Sequence, residues 1–329
     1  MKVLITGGAG YIGSTVASAC LDAGHEVVIL DNLSAGRREF CAGRRFYEGD
    51  IADHDLVARI LTDERIDAVV HCAASIVVPE SVARPLAYYE NNVGKTIDLL
   101  TTMAEVGVNR LVFSSSASIY GPDADFQVTE DSPKAPGSPY ARTKAIMEQV
   151  LEDAAQASAL RVLSLRYFNP IGSDPQLRTG QQIEHPTHVI GKMLDAWLEK
   201  RPFTVTGVDW PTRDGSGIRD FVHVWDLARA HVAALEHFDE VTADGNYQVI
   251  NIGTGNGVTV RELADAFQAG TGEPLEVIEG PSRPGDVAGV YTVSTRARDL
   301  LGWTADLTEA DGVRDAIAWL PRRKEILGY

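Results

Sequence analysis

Residues 2–13 read KVLITGGAGYIG: a short apolar run, Val3 to Thr6, breaks into a loop with glycines at Gly7, Gly10 and Gly13. The segment one residue further on, TVASACLDAG at 15–24, has the composition of a helix. Glycine allows a tight turn and lets backbone approach a pyrophosphate closely, while the helix start offers unpaired N–H groups and the positive end of its dipole. Such a loop alone is a weak signal, so the reading depends on what comes next. A second apolar run, Glu26 to Leu30, leads into Asp31, 18 residues beyond Gly13. A carboxylate there can accept hydrogen bonds from the adenosine ribose hydroxyls and would repel a 2′-phosphate, which favours NAD over NADP. Arg37 and Arg38, just downstream, read as a solvated loop face. In FYEGDI, Asp50 is placed to reach the adenine amino group.

Further apolar runs at Ala68 to His71, Arg110 to Ser114 and Arg161 to Arg166 alternate with helix-length amphipathic segments. That alternation predicts an α/β fold of Rossmann type, a doubly wound parallel sheet covered by helices on both faces. After about Asn169 the pattern loosens into loops rich in Gly, Pro, Asp and Thr, with strand-like pieces at Phe203 to Thr206 and Glu276 to Glu279. We therefore expect a dinucleotide-binding domain over 1–169 and a smaller, interleaved substrate lobe over 170–329. Tyr247 to Ile252 is apolar enough to rejoin the main sheet.

Composition narrows the partners. Lys and Arg number 30 against 46 Asp and Glu, a formal charge of −16 that repels nucleic acid and anionic membrane surfaces. Cys20, Cys41 and Cys72 lack metal or redox spacing and read as buried reduced thiols. The N-terminus meets glycines too soon for a signal peptide, and no apolar run approaches the roughly 18 residues of a membrane span. A cytoplasmic protein without a metal site is expected.

SPYARTK, at 138–144, sets Tyr140 and Lys144 one helical turn apart at a helix start. A free phenol, with a pKa of about 10, is seldom ionised at neutral pH; a nearby ammonium favours the phenolate and makes it a usable base. FSSSASIYG puts Ser116 just past the fourth parallel strand, 24 residues before Tyr140, where it can bridge a substrate hydroxyl to the phenol. A surface helix contact and simple strand-end capping are the bland alternatives for these residues.

VLITGGAGYIGS, ILDNLS, PLAYYENNV, FSSSASIYG, PYARTK, LRYFNP, WPTRDGSGIRDFVHVWDLARAH and SRPGD together resemble the extended short-chain dehydrogenase/reductase family, and within it the UDP-glucose (UDP-galactose) 4-epimerases. The resemblance runs through nearly the whole chain. It implies Tyr140 as base, Lys144 as its lysine and Ser116 as its hydroxyl partner. Gly7, Gly10, Tyr11, Ile12, Gly13, Asp31, Asn32, Asp50, Ile51, Asn91 and Tyr167, with Tyr140 and Lys144, match NAD-binding positions. Asn169, His188, Arg219, Arg283, Asp286 and Val290 match contacts to the UDP-sugar. The implied reaction is reversible epimerisation at C4 through a 4-keto sugar with NAD tightly held. The family also pairs as a homodimer through helices that correspond here to roughly Leu86 to Val106 and Ser138 to Ala157.

Two positions depart from the commonest epimerase pattern. Ile76 stands where many relatives place a cofactor-contacting lysine, and Val290 stands where hexose-restricted enzymes carry a bulky tyrosine. The smaller Val290 leaves room for an N-acetyl group, so UDP-N-acetylglucosamine and UDP-uronates stay open beside UDP-glucose and UDP-galactose. Ala117 and Ser118 occupy the places of the acidic pair in 4,6-dehydratases, which argues against elimination chemistry. A one-way NAD-dependent sugar dehydrogenase and a non-catalytic NAD-sensing regulator are the remaining rivals.

Overall fold

The structure, a computed structural model, describes residues 1–329 apart from Pro122, Ala124 and residues 283–286. Seven strands form one parallel sheet in the order Tyr247–Ile252, Arg161–Tyr167, Arg110–Ser116, Ala68–His71, Lys2–Thr6, Glu26–Asp31 and Arg45–Glu48. Ala68–His71 is buried throughout and so are all but the first residues of Lys2–Thr6 and Glu26–Asp31, which is why these strands read as apolar runs rather than alternating ones. The chain builds outward from Lys2–Thr6 in one direction, then returns to place Ala68–His71 on that strand's other side. Loops at the carboxyl ends of these two strands therefore diverge and open the crevice in which sheets of this kind bind ligands.

Arg45–Glu48 is a full edge strand, only partly buried, and its weak apolar content explains why the sequence showed it as a mere segment. The serine-bearing strand is consequently fifth in chain order, not fourth, and Ser114, Ser115 and Ser116 lie inside it rather than past its end.

Each sheet face carries its own core. Helices Tyr11–Asp22 and Val224–Glu236 cover one, burying Val16, Cys20, Leu227 and Leu235 with Ile5 and Ile250. Helices His54–Asp63, Lys95–Val106 and Pro139–Ala157 cover the other, burying Ile60, Leu99, Met103, Met147 and Leu151. Each such side chain contributes about 1.5–3 kcal/mol. A third cluster, with Met193, Phe221, Phe267 and Val313, joins helices Val189–Leu198, Val260–Thr271 and Glu309–Leu327 to short strands. Among those strands, Phe203–Thr206 pairs with Val277–Gly280 and Asn169–Ile171 with Phe221–His223.

Pro139–Ala157 begins as the sequence predicts. Ser138 caps it by accepting from Ala141 N–H at 3.1 Å, and Pro139 fills the first turn, where no N–H is needed. The helix expected over Leu86 to Val106 is instead broken: Pro85–Tyr89 and Lys95–Val106 flank a π-helical turn at Glu90–Gly94. That turn tucks Asn92 inward. Its side chain accepts from Ser75 N–H (2.8 Å) and donates to the Ser75 carbonyl (2.9 Å) and to Thr143 Oγ (3.1 Å), bolting the loop after Ala68–His71 to the Tyr140 helix.

Candidate active site

The glycine loop is built by close backbone approach. Gly7 adopts φ +71°, and a Cβ there would sit 2.7 Å from Ala73 N; a Cβ on Gly13 would lie 2.3 Å from the Gly7 carbonyl. Side chains at either position would close the crevice. Gly10 precedes helix Tyr11–Asp22 with no side chain capping the helix start, which leaves its first N–H groups for an anionic ligand. The Tyr11 hydroxyl donates to the Gly172 carbonyl at 2.6 Å and pins this turn to the chain just past Asn169–Ile171. Ile12 packs on the core beneath the sheet. These features fit a pyrophosphate.

At the end of Glu26–Asp31, Asp31 is buried, and its carboxylate accepts from Ala9 N–H (3.0 Å) and Leu33 N–H (2.8 Å). Burial still pushes its pKa up against those two bonds. Asp50 accepts from Ala52 N–H, Asn32 Nδ2 and Lys95 Nζ, the last at 2.6 Å. Burial would raise its pKa, but Lys95, Ala52 and Asn32 outweigh it and hold the carboxyl below its usual range. Ile51 is buried beneath. Arg37 turns to the Tyr329 hydroxyl (2.9 Å) and Arg38 pairs with Glu48 and lies over Phe46. Both cations are thus committed elsewhere, which agrees with NAD rather than NADP. Ile76 is 58% exposed, and Asn91 Nδ2 donates to Ser75 Oγ (3.3 Å).

The chemical groups gather at the carboxyl end of two neighbouring strands. Ser116 and Tyr167 are register partners on Arg110–Ser116 and Arg161–Tyr167, with Tyr140 on the adjoining helix. Burial pushes the Tyr140 phenol up, and the hydrogen bond with Ser116 draws it back down. Ser116 Oγ also donates to Ser118 Oγ (3.0 Å) and accepts from Ser118 N–H (3.2 Å). The buried Lys144 ammonium donates to the Ser114 carbonyl at 2.7 Å and rests 4.8 Å from the Phe113 ring centre. Burial lowers its pKa to about 8, opposed by Cys72 and Glu148. In this arrangement the hydrogen bond with Ser116 is the contact that draws the phenol down, and the Lys144 ammonium is held on the Ser114 carbonyl. Tyr167 bonds Ser114, and burial drives its phenol well up. Cys20 and Cys41 are buried and Cys72 half-buried; all three are free thiols.

Among the residues that match UDP-sugar contacts, Asn169 is exposed at the start of Asn169–Ile171. Arg219 donates to the carbonyls of Ile218, Val287 and Ala288. His188 caps helix Val189–Leu198, accepting from Gly191 N–H at 3.3 Å, while its other ring nitrogen meets Gln181 Nε2 at 2.9 Å. Val290 packs against the cluster of Ala117, Tyr120 and Phe168. Arg283 and Asp286 lie outside the described residues. Among the described residues no group of His, Cys, Asp and Glu could hold a metal, and no helix is long and apolar enough to cross a membrane.

Three contributors escaped the sequence reading. Asn92 stands beside the Asn91 that was singled out, and only the π turn decides which one faces inward. Lys95 reaches Asp50 across 45 residues of chain. Glu148 and Arg166 form a buried pair behind the serines and tyrosines, with bonds of 2.7 Å from Arg166 to both carboxylate oxygens. Glu148 lies four residues beyond Lys144 and so shares its helix face, the one signal that could have revealed it.

The profile of the NAD dependent epimerase/dehydratase family matches residues 3–253. The UDP-glucose 4-epimerase of Azospirillum brasilense is 44% identical over 321 residues, covering 97% of this chain and 91% of that protein. Among solved structures, a UDP-glucose-4-epimerase from Stenotrophomonas maltophila with bound NAD and formylated UDP-arabinopyranose superposes with a TM-score of 0.93. It is 36% identical and both chains are covered in full. The UDP-glucose 4-epimerase of Bifidobacterium longum, in complex with NAD+ and UDP, gives a TM-score of 0.91 at 34% identity, covering 98% of each chain. With the glycine cradle, the acidic second-strand end and the Ser116, Tyr140 and Lys144 cluster in one crevice, the chain belongs to the NAD dependent epimerase/dehydratase family.

Proposed function

We propose that this protein interconverts UDP-glucose and UDP-galactose by reversible epimerisation at C4, with NAD as a retained cofactor. The observation that carries this reading is the convergence of Ser116, Tyr140, Tyr167 and Lys144 beside the glycine loop. Gly7, Gly10, Gly13, Tyr11 and Ile12 would hold the pyrophosphate, Asp31 and Asn32 the adenosine ribose, and Asp50 and Ile51 the adenine. Asn91, Tyr167 and Lys144 border the nicotinamide end. NAD, when bound, supplies the two-electron acceptor and donor that C4 requires.

The chain's own residues handle the proton. Tyr140 Oη takes it from the sugar 4-hydroxyl, Ser116 Oγ bridges that hydroxyl to the phenol, and the proton returns by the same route after the 4-keto sugar has turned over. Lys144, fixed to the Ser114 carbonyl, places positive charge behind the phenol and favours its ionised form. Asn169, His188 and Arg219, with Arg283 and Asp286, are assigned to the UDP moiety; fixed guanidinium donors suit a diphosphate in a chain this acidic. With Ala117 and Ser118 after Ser116, no carboxylate stands where elimination would need one.

The test is proton NMR of the anomeric signals on purified protein given UDP-galactose without added NAD. A mixture of C4 epimers is expected. Absence of change, with no rescue on adding NAD, overturns the proposal, and stoichiometric accumulation of NADH would favour a one-way dehydrogenase. One observation favours a second substrate class: Val290, a small side chain, packs against Ala117 and Phe168, close in sequence to Ser116 and Asn169. The same experiment with UDP-N-acetylglucosamine and a UDP-uronate decides whether the pocket admits them.

We also propose that the protein works as a homodimer. Leu86 is 81% and Val82 63% exposed, and Ile97 and Ile146 add apolar surface on helices Lys95–Val106 and Pro139–Ala157. A second copy would remove that surface from water. Analytical ultracentrifugation is expected to find a dimer that Leu86→Glu together with Ile97→Glu converts to monomer; a wild-type monomer at micromolar concentration would refute the assembly.

A further inference from the structure

The loop that follows Asp31 is clasped from outside by a residue far away in sequence. Beyond helix Glu309–Leu327, the Tyr329 hydroxyl donates to the Gln182 carbonyl at 2.6 Å and accepts from Arg37 Nε at 2.9 Å. The Gln182 side chain is buried and donates to the Ala35 carbonyl at 3.1 Å. Arg323 lies 5.8 Å from the Tyr329 ring centre and donates to the Ile183 carbonyl at 3.2 Å. The clasped loop in turn touches the dinucleotide cradle. Arg37 N–H donates to the Ala9 carbonyl at 2.9 Å, and Gly36 sits so close that a Cβ there would be 2.8 Å from Asp31 Oδ1. Tyr329, Gln182 and Arg37 therefore make one hydrogen-bonded knot whose inner side is the wall of the ribose subsite. No other part of the proposed chemistry needs this knot, which lies at the opposite end of the crevice from Tyr140.

We infer that Tyr329 is a positioning residue for the dinucleotide: its hydroxyl holds the Asn32 to Arg37 loop against the glycine loop and so sets how long NAD stays bound. The inference rests on the proposed reading that NAD occupies this crevice. Opening the wall requires breaking the Tyr329 bonds to Arg37 and Gln182, so removing one hydroxyl should act on the escape rate rather than on the chemistry.

The test measures NAD release from purified holoenzyme by timed gel filtration and quantification of retained NAD. Tyr329→Phe keeps the ring on Arg323 and is expected to release NAD about tenfold faster, the loss of the two hydrogen bonds its hydroxyl makes. Its turnover should return to the wild-type value when NAD is added in excess, and its urea midpoint under that same excess should match the wild type, which that of a merely destabilised variant would not. Arg37→Ala should release NAD comparably fast, and the double variant no faster than either single one; this second route stands if Tyr329→Phe fails to fold. Wild type and both variants releasing NAD at equal rates would overturn the inference alone. A wild-type protein that neither retains nor takes up NAD would overturn the proposed function and this inference with it.

Discussion

Tyr140→Phe is expected to lower turnover by about 10²–10⁴-fold, the usual worth of a positioned acid–base group, while leaving bound NAD and thermal stability close to wild type. The phenyl ring fills the same space, so the variant removes one oxygen and little packing. That oxygen is the one the structure prepares: burial pushes the phenol above its ordinary value, and Ser116 draws it down. Ser116 in turn is fixed by two contacts with Ser118 and by its place in the strand beside Tyr167. A phenol whose pKa lies above the working pH is ionised in a fraction that grows with pH, so wild-type turnover should rise with pH until the base is fully ionised. The variant should lose that slope together with its rate. Interconversion of UDP-glucose and UDP-galactose, followed by the anomeric signals, measures both. Full turnover in Tyr140→Phe would remove the phenol from the mechanism and return attention to a non-catalytic role for the crevice.

Much of this site could be read from residues because its parts are local. Gly7 to Gly13 and Asp31 follow from a strand end and a turn, and the Tyr140/Lys144 pair from one helical period. Six of the seven strands were legible for the same reason: strands buried on both faces announce themselves as apolar runs. Arg45–Glu48 did not, because an edge strand half in water carries no such run. Long-range contacts were also silent. Lys95 to Asp50 and Tyr329 to Arg37 span distances that no periodicity encodes. The acceptor of Lys144 was silent for a related reason. Helical spacing brings its stem beside Tyr140, but a flexible side chain takes the best acceptor in reach, and in the buried space behind the strand that acceptor is the Ser114 carbonyl.

Arg166→Met should destabilise the fold by about 3–5 kcal/mol, the cost of stranding a buried charge, and so far more than loss of a surface arginine, which stays within about 0.5 kcal/mol. Arg166 is 2% exposed and Glu148 0%. Arg166 binds both carboxylate oxygens at 2.7 Å and continues to Tyr120 Oη (2.8 Å) and the Glu130 carbonyl (3.0 Å). Ser115 and Lys134 complete the shell around Glu148 at 2.7 and 2.8 Å. Burial alone would raise the Glu148 pKa, but Arg166 outweighs it and holds the carboxyl below its usual value. A depressed carboxyl stabilises the fold above its unfolded pKa, and that contribution is lost as pH falls through the folded value. The pair should therefore weaken only in acid, below roughly pH 4. Its position gives it functional weight: Arg166 precedes Tyr167, Ser115 precedes Ser116, and Glu148 shares the helix of Tyr140 and Lys144, so one ion pair locks the strand and helix that carry the reacting groups. Urea unfolding of three variants separates charge from packing. Arg166→Met and Glu148→Leu alone should each lose several kcal/mol, whereas the double variant should recover most of that loss, since apolar residues of similar volume replace such pairs at little cost. The recovered double variant should still turn over slowly, because Ser115, next to Ser116 in its strand, loses the carboxylate that its hydroxyl holds. Wild-type turnover in that variant would show that packing alone sets the geometry of Ser116 and Tyr140.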